Sequence, residues 1–150
     1  MSDAERIVAT TRGWIGTPYQ HQASCKGAGT DCLGLVRGVW REVMGHEPEL
    51  PPAYTPDWAE QPGGGAAQET MADGARRHMR EINVADADAG DVVLFRMRGN
   101  GPAKHAAILS GAGHMIHAYS GRAVVEAELT RWWAGKIAFA FRFPELKSEE

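Results

Sequence analysis

Cysteine is scarce in this chain: there are two, Cys25 and Cys32, in 150 residues. Their Cys-x6-Cys spacing is a poor match to the short spacings of structural zinc sites, and a disulfide between them is disfavoured in a reducing cytosol. Long apolar runs are missing, so no segment approaches the length of a membrane span. The first residues, Met1-Ser2-Asp3-Ala4-Glu5-Arg6, lack a basic region followed by an apolar one. That argues against a secretory signal and leads us to expect a protein made and folded in the cytoplasm. Surplus positive charge is also absent. The net charge is -3, and the most basic cluster, Arg76-Arg77-His78 with Arg80, shares its stretch with Asp73 and Glu81. A solvated helix face explains that cluster better than a nucleic-acid surface does. There are no internal repeats. The length suits one domain, residues 1–150, and the 43% hydrophobic content is enough to bury a core.

What is present centres on Gly29 to Trp40. A glycine-rich loop, Cys25-Lys26-Gly27-Ala28-Gly29, runs into a helix with Thr30 as the expected N-cap. Cys32, Leu35, Val36, Val39, Trp40 and Val43 recur at helical spacing and predict one buried stripe. Gly45 is placed to end the helix. A thiol in the first turn sits at the positive end of the helix dipole, which favours the thiolate a nucleophile needs. The competing reading is a small core hydrophobe, the commonest fate of a lone cysteine.

Before this stretch, Ile7, Val8, Thr11, Trp14 and Ile15 predict a helix from Asp3 to Ile15, with Asp3 as a possible cap. Gly16-Thr17-Pro18 ends it. After it, residues 46–65 hold five prolines and Gly63-Gly64-Gly65 and read as an irregular excursion, pinned by Tyr54 and Trp58, that lines a cleft or contacts a partner. A further helix is predicted over 66–82. Then the pattern turns to strands: 92–97, 105–109, 113–119, 122–126 and 136–143. Residues 145–150 read as a frayed tail. Helices first and antiparallel strands after make an α+β domain, with helices packed on one sheet.

A nucleophile needs a base. Of the six histidines, His105 and His117 lie within apolar strands, where a buried imidazole requires a partner. A three-residue turn at Ser110-Gly111-Ala112, closing on a Leu109–Gly113 pair, puts His105 directly opposite His117 on one face. A two-residue turn puts them on opposite faces. In the first register His117 orients His105, and His105 serves Cys32 as general base. His114 has the wrong parity. Two other readings stay open at this point: a pair of structural histidines, or a zinc site built from Cys32, His105 and His117.

These residues resemble the NlpC/P60 cysteine peptidases. The likeness is carried by Asp31-Cys32-x-Gly34-Leu35-Val36, by Gly16-Thr17-Pro18-Tyr19 upstream, and by His105 followed twelve residues later by His117-Ala118. It runs from about Asp3 to Phe143. Asp31 to Arg41, with the run from Ala53 to Trp58, is similar to the phage cell-wall peptidase branch found in phage tails and gene transfer agents. The resemblance implies a papain-like α+β fold with N-terminal helices on an antiparallel sheet of five to six strands. It implies Cys32 as nucleophile, His105 as base and His117 as its orienter. It gives Tyr19 to the oxyanion hole with the Cys32 N–H. It gives Asp31 to a substrate amine in relatives with serine after the cysteine, where this chain has Leu33. The implied substrate is the γ-D-glutamyl–diamino acid bond of peptidoglycan stem peptides, cleaved without metal or organic cofactor. The implied setting is a phage-like tail, with tail proteins as partners, made in the cytoplasm and acting on the wall in the periplasm. An amidase or acyltransferase with the same residues, or a catalytically silent tail component, are the alternatives.

Overall fold

The computed structural model describes residues 1–48, 69–119 and 121–146. Most of the 46–65 excursion, including Tyr54 and Trp58, lies outside them, as do Ala66 to Gln68 at the start of the third expected helix.

Helix α1 spans Asp3–Arg12, shorter than expected, and its cap is Ser2 rather than Asp3. Ser2 Oγ accepts from the Glu5 N–H at 3.1 Å and Glu5 Oε1 accepts from the Ser2 N–H at 2.9 Å, a reciprocal capping box. Trp14 lies beyond the helix yet is 1% exposed, and its indole N–H donates to Glu42 at 2.8 Å. A short hairpin follows, β1 (Ser24–Cys25) and β2 (Gly29–Thr30). Helix α2 covers Cys32–Met44 and ends at Gly45 in the left-handed region, φ 87°. Its N-cap is Asp31, not Thr30: Asp31 Oδ1 accepts from the Gly34 N–H at 2.7 Å. Thr30 is engaged instead in the hairpin and in a bridge to Tyr19.

Leu35, Val39, Trp40 and Val43 are buried as the stripe predicted, while Cys32 and Val36 are half-buried. Fully burying such a side chain stabilises the fold by about 1.5–3 kcal/mol. At Gly38 an added Cβ would strike the Trp14 ring, so glycine there lets the indole beyond α1 pack on α2.

Helix α3 is Thr70–His78, and the residues after it extend. Arg80–Ile82 forms strand β3, where a helix was expected to continue. Then come β4 (Val92–Phe95), β5 (His105–Gly111), β6 (His114–His117), β7 (Val125–Glu128), the one-turn helix α4 (Arg131–Ala134) and β8 (Ile137–Arg142). The sheet has six strands, all antiparallel, in the order β3-β8-β4-β5-β6-β7. The architecture is α+β, as expected. One face of the sheet, with Val92, Leu94, Ala106, Ile108, Ile116 and Phe141, packs against the helices. The other carries Val93, Phe95, Ala107, Leu109, Met115 and Ala140, with Trp133 of α4 against it. The tail is ordered further than expected. Leu146 is 8% exposed in the core, and its N–H donates to Asp3 at 3.1 Å.

The turn between β5 and β6 corrects the expected register. Gly111 pairs with His114 across the two residues Ala112 and Gly113, both at positive φ, 54° and 76°. That is the handedness a tight two-residue hairpin needs. By itself this turn would split the histidines between faces. An irregularity between Leu109 and Gly111 inserts one residue and shifts the pairing to Leu109↔Met115. The parity is restored, so His105 and His117 share a face as diagonal rather than direct neighbours.

Candidate active site

The loop before α2 is fastened so that the cysteine arrives in a fixed place. Thr30 N–H donates to Pro18 O and Gln20 N–H to Thr30 O, each at 3.0 Å, which seats Tyr19 beside the helix entrance. Asp31 is 4% exposed. Besides capping Gly34, it accepts the Gln22 N–H on Oδ2 at 2.8 Å, holding a non-glycine residue at φ 65°. His21 lies 4.0 Å from the same oxygen. Both carboxylate oxygens are thus engaged by backbone, and little of Asp31 is open to a substrate. Ser24 Oγ donates to Gly34 O at 2.6 Å, tying the hairpin to the first turn.

Cys32 follows directly. Its thiol meets the backbone of β5 on either side of His105. Sγ is 3.8 Å from the Lys104 carbonyl oxygen, and the Ala106 N–H is directed at the sulfur. Among the described residues the sulfur's hydrogen-bond partners are backbone groups, not the His105 ring. Cys32 keeps a partly open surface although it lies deep among protein atoms.

His105 and His117 are 7% and 5% exposed. His105 Nε2 lies 2.9 Å from His117 Nδ1. The two rings meet edge to face, with centroids 5.1 Å apart. If His105 donates through Nε2, its Nδ1 is the lone pair left for the thiol. His114 stands apart, exposed, with Nδ1 on the Ala112 carbonyl. Among the described residues no group of three His, Cys, Asp or Glu side chains is arranged to hold a metal ion, and no helix is long and apolar enough to cross a membrane.

The charge state differs from the thiolate expected at a helix start. Burial, and then the Asp31 carboxylate, push the Cys32 thiol up to about 12, against the opposing pull of the Ala106, Leu33 and Cys32 N–H groups. Burial, followed by the charges of His117 and Lys104, drives His105 down to about 3. Burial also lowers His117. Both shifts favour a neutral thiol and a neutral imidazole at rest, with the nucleophile forming as the proton moves. Alkylation with iodoacetamide at pH 7.5 should modify exposed Cys25 before Cys32, with the Cys32 rate still climbing above pH 9. A Cys32 rate that saturates below pH 8 would contradict this. Burial of His105 also gives the protein an acid limit. Its folded pKa lies below the unfolded value of 6.5, so the unfolded state binds the proton first and stability falls as pH drops from 6.5 toward 3. From pH 7 to pH 5 the loss through His105 is about 2 kcal/mol. Urea unfolding at the two pH values should show it, and His105→Gln should show a smaller drop.

Two aromatic residues that the sequence reading did not single out complete the site. Trp133 packs on both imidazoles, with centroids 5.6 Å from His105 and 5.2 Å from His117. Tyr119, 37% exposed, lies 5.4 and 5.9 Å from the same two rings. Tyr19 is half-buried, its phenol is raised first by burial and then by the Asp31 carboxylate, and it packs on the same core cluster as Cys32.

A cysteine at a helix start, set against a strand that carries a hydrogen-bonded histidine pair, defines the class: an α+β cysteine peptidase. Residues 16–142 match the NlpC/P60 family, and the chain belongs to it. The gamma-DL-glutamyl hydrolase of Bacillus subtilis (strain 168) is 30% identical over 141 residues, 93% of this chain and 29% of that protein. The chain thus spans under a third of that relative's length. The NlpC/P60 domain of the peptidoglycan hydrolase SagA superposes with a TM-score of 0.63 at 27% identity, covering 93% of this chain and 98% of that one. The peptidoglycan hydrolase RipB of Mycobacterium tuberculosis, at 18% identity, shares the fold with a TM-score of 0.60 over 95% of this chain and 65% of its own.

Proposed function

We propose that this chain hydrolyses the amide bond between γ-D-glutamate and a diamino acid in peptidoglycan stem peptides. The observation that carries the reading is the seating of Cys32 Sγ on the β5 backbone at His105, whose far nitrogen is 2.9 Å from His117. Support for the substrate comes from the relatives, one a gamma-DL-glutamyl hydrolase and one a domain of a peptidoglycan hydrolase.

The chemistry is acyl transfer. His105 Nδ1 takes the thiol proton as sulfur attacks the amide carbonyl carbon. The oxyanion faces the Cys32 N–H and the Tyr19 hydroxyl. The C–N bond breaks, and His105 passes the proton to the leaving amine. Water then adds to the thioester, His105 takes its proton, and the acid and the free thiol are released. His117 keeps the His105 ring in the tautomer this cycle needs. His117→Ala should lower kcat by about 10²-fold and leave measurable turnover, since an orienter contributes less than nucleophile or base. Full activity in that variant would remove His117 from the mechanism. A synthetic peptide with a γ-D-glutamyl–diaminopimelyl bond should be cut, and its α-linked isomer should not. Cleavage of neither would send the reading back to another amide or ester.

The setting we favour is a phage-like tail, supported by the likeness of Asp31 to Arg41 and of Ala53 to Trp58 to that branch. The enzyme would be assembled into the particle in the cytoplasm and carried to the wall. Immunoblots of purified particles test this: the chain should co-sediment with tails, and its absence from them would reject the assignment.

A further inference from the structure

Helix α4 is one turn long, too short to have its own reason to exist. Thr130 caps it, accepting the Trp133 N–H on Oγ1 at 3.3 Å, and the Trp133 carbonyl accepts the Lys136 N–H at 2.9 Å. The Lys136 carbonyl then accepts from Arg96, just past β4, at 2.8 Å. The turn is therefore anchored at both ends beside the strand next to β5. Its two tryptophans are treated differently. Trp132 is 56% exposed, with Lys136 Nζ 4.8 Å over its ring, while Trp133 points into the sheet.

The inward indole meets five rings. Its neighbour Trp132 lies edge-on at 5.0 Å, Phe95 is 5.0 Å away, Tyr119 5.6 Å, His105 5.6 Å and His117 5.2 Å. The indole touches both members of the histidine pair from a one-turn helix that no strand register fixes. The planes explain how it holds them. It stands edge-on to His117, at 85°, and tilted at 37° to His105, while the two imidazoles cross at 72°. A hydrogen bond between rings so crossed is lost if either ring turns about its χ2, and a broad aromatic wall on both rings resists that.

We propose that Trp133 is a positioning residue for the dyad, its indole closing the wall beside the His105–His117 hydrogen bond, fixing both ring orientations and keeping water out. The inference rests on the histidine roles assigned above, but it is tested on the resting protein without substrate. Among the described residues, the charged and titratable groups beside the dyad are Lys104 leading into β5 and Tyr119 after β6, with Cys32 Sγ on the Lys104 carbonyl; Trp133 and Phe95 supply uncharged faces.

The experiment is ¹⁵N NMR of the histidine side chains across pH 4–8, together with kcat and KM on the γ-glutamyl peptide, for native protein, Trp133→Leu, Trp133→Phe and Trp132→Leu. In native protein both dyad rings should titrate below the ordinary imidazole range, His105 the lower of the two at about 3, each with a fixed tautomer. Trp133→Leu should let them titrate nearer pH 6.5 with averaged tautomers, and should cut kcat about 10- to 100-fold with KM nearly constant. Trp133→Phe should restore much of both, and Trp132→Leu, which removes one ring contact of Trp133 but keeps the indole itself, should stay much closer to native protein than Trp133→Leu. Native-like titration and tautomers in a folded Trp133→Leu overturn the proposal. Should that variant fail to fold, native-like titration in Trp133→Phe together with a fall in kcat overturns it equally. If native protein cleaves no γ-glutamyl peptide, the substrate assignment falls and the NMR arm still decides the role of Trp133.

Discussion

Replacing Cys32 with serine should lower peptide hydrolysis by at least about 10⁴-fold while leaving the melting temperature within a few degrees of native. The two halves of this result come from different parts of the structure. Activity goes because a serine hydroxyl, in a site that already disfavours a charged nucleophile, is a far weaker attacking group than sulfur. Stability stays because Cys32 does not hold the helix start. Asp31 does, through the Gly34 and Gln22 N–H groups. The thiol's contact with the Lys104 carbonyl is 3.8 Å long, a weak sulfur hydrogen bond whose loss costs little. A core cysteine with no chemistry predicts the reverse, little change in turnover and a packing loss on the order of 1 kcal/mol. Activity and melting curves on one preparation separate the two.

The second large effect concerns a residue with no chemistry. Gly34→Ala should destabilise the domain by about 3 kcal/mol and disable it even where it stays folded. A Cβ at this position would collide with the carbonyl oxygen of Ala23 and stand 2.7 Å from Thr30 Oγ1. The Ala23 carbonyl is backbone, and it already accepts the Asp31 N–H at 3.2 Å. It cannot retreat without moving the residue that caps α2. The helix start and the loop would separate, and Cys32 would shift from the β5 backbone. Gly74→Ala is the control. A Cβ there meets Arg77 Nη2 at 3.4 Å, the end of a flexible side chain, and the change should cost well under 1 kcal/mol. Chemical denaturation of both variants gives the comparison. Equal stability of Gly34→Ala and native protein would mean that the loop packs less tightly on α2 than the structure indicates.

How much of this was legible in the sequence depended on the range of the signal. The stripe on α2 and its glycine stop were readable because helical period and left-handed glycine are local. The cap was misplaced by one residue: Thr30 and Asp31 are both good caps, and only the pairing of Thr30 with Tyr19 and Ser24 decides which is free for the job. The shared face of His105 and His117 was expected from a three-residue turn, and it holds in the structure without that turn. The register was not legible, because two departures cancelled, a two-residue turn and an inserted residue before it. Strand β3 was hidden by the helix running into it, since Arg80-Glu81-Ile82 fits either period. Helix α4 was missed for a different reason. One turn carries no periodicity, so nothing in Arg131-Trp132-Trp133-Ala134 tells which tryptophan faces the histidines. The upward push on the Cys32 thiol was not legible, because a helix start is visible in sequence whereas burial and the reach of a neighbouring carboxylate are three-dimensional.

Thiol-dependent cleavage of peptidoglycan is tested most directly by one digest. Purified Gram-negative peptidoglycan is incubated with native protein and, in parallel, with Cys32→Ser, and the soluble products are read by mass spectrometry. New fragments ending in γ-D-glutamate, present with native protein and absent with the variant, are the predicted result. The same fragments from both proteins would show that the thiol is not the nucleophile, and none from either would contradict peptidoglycan as the substrate.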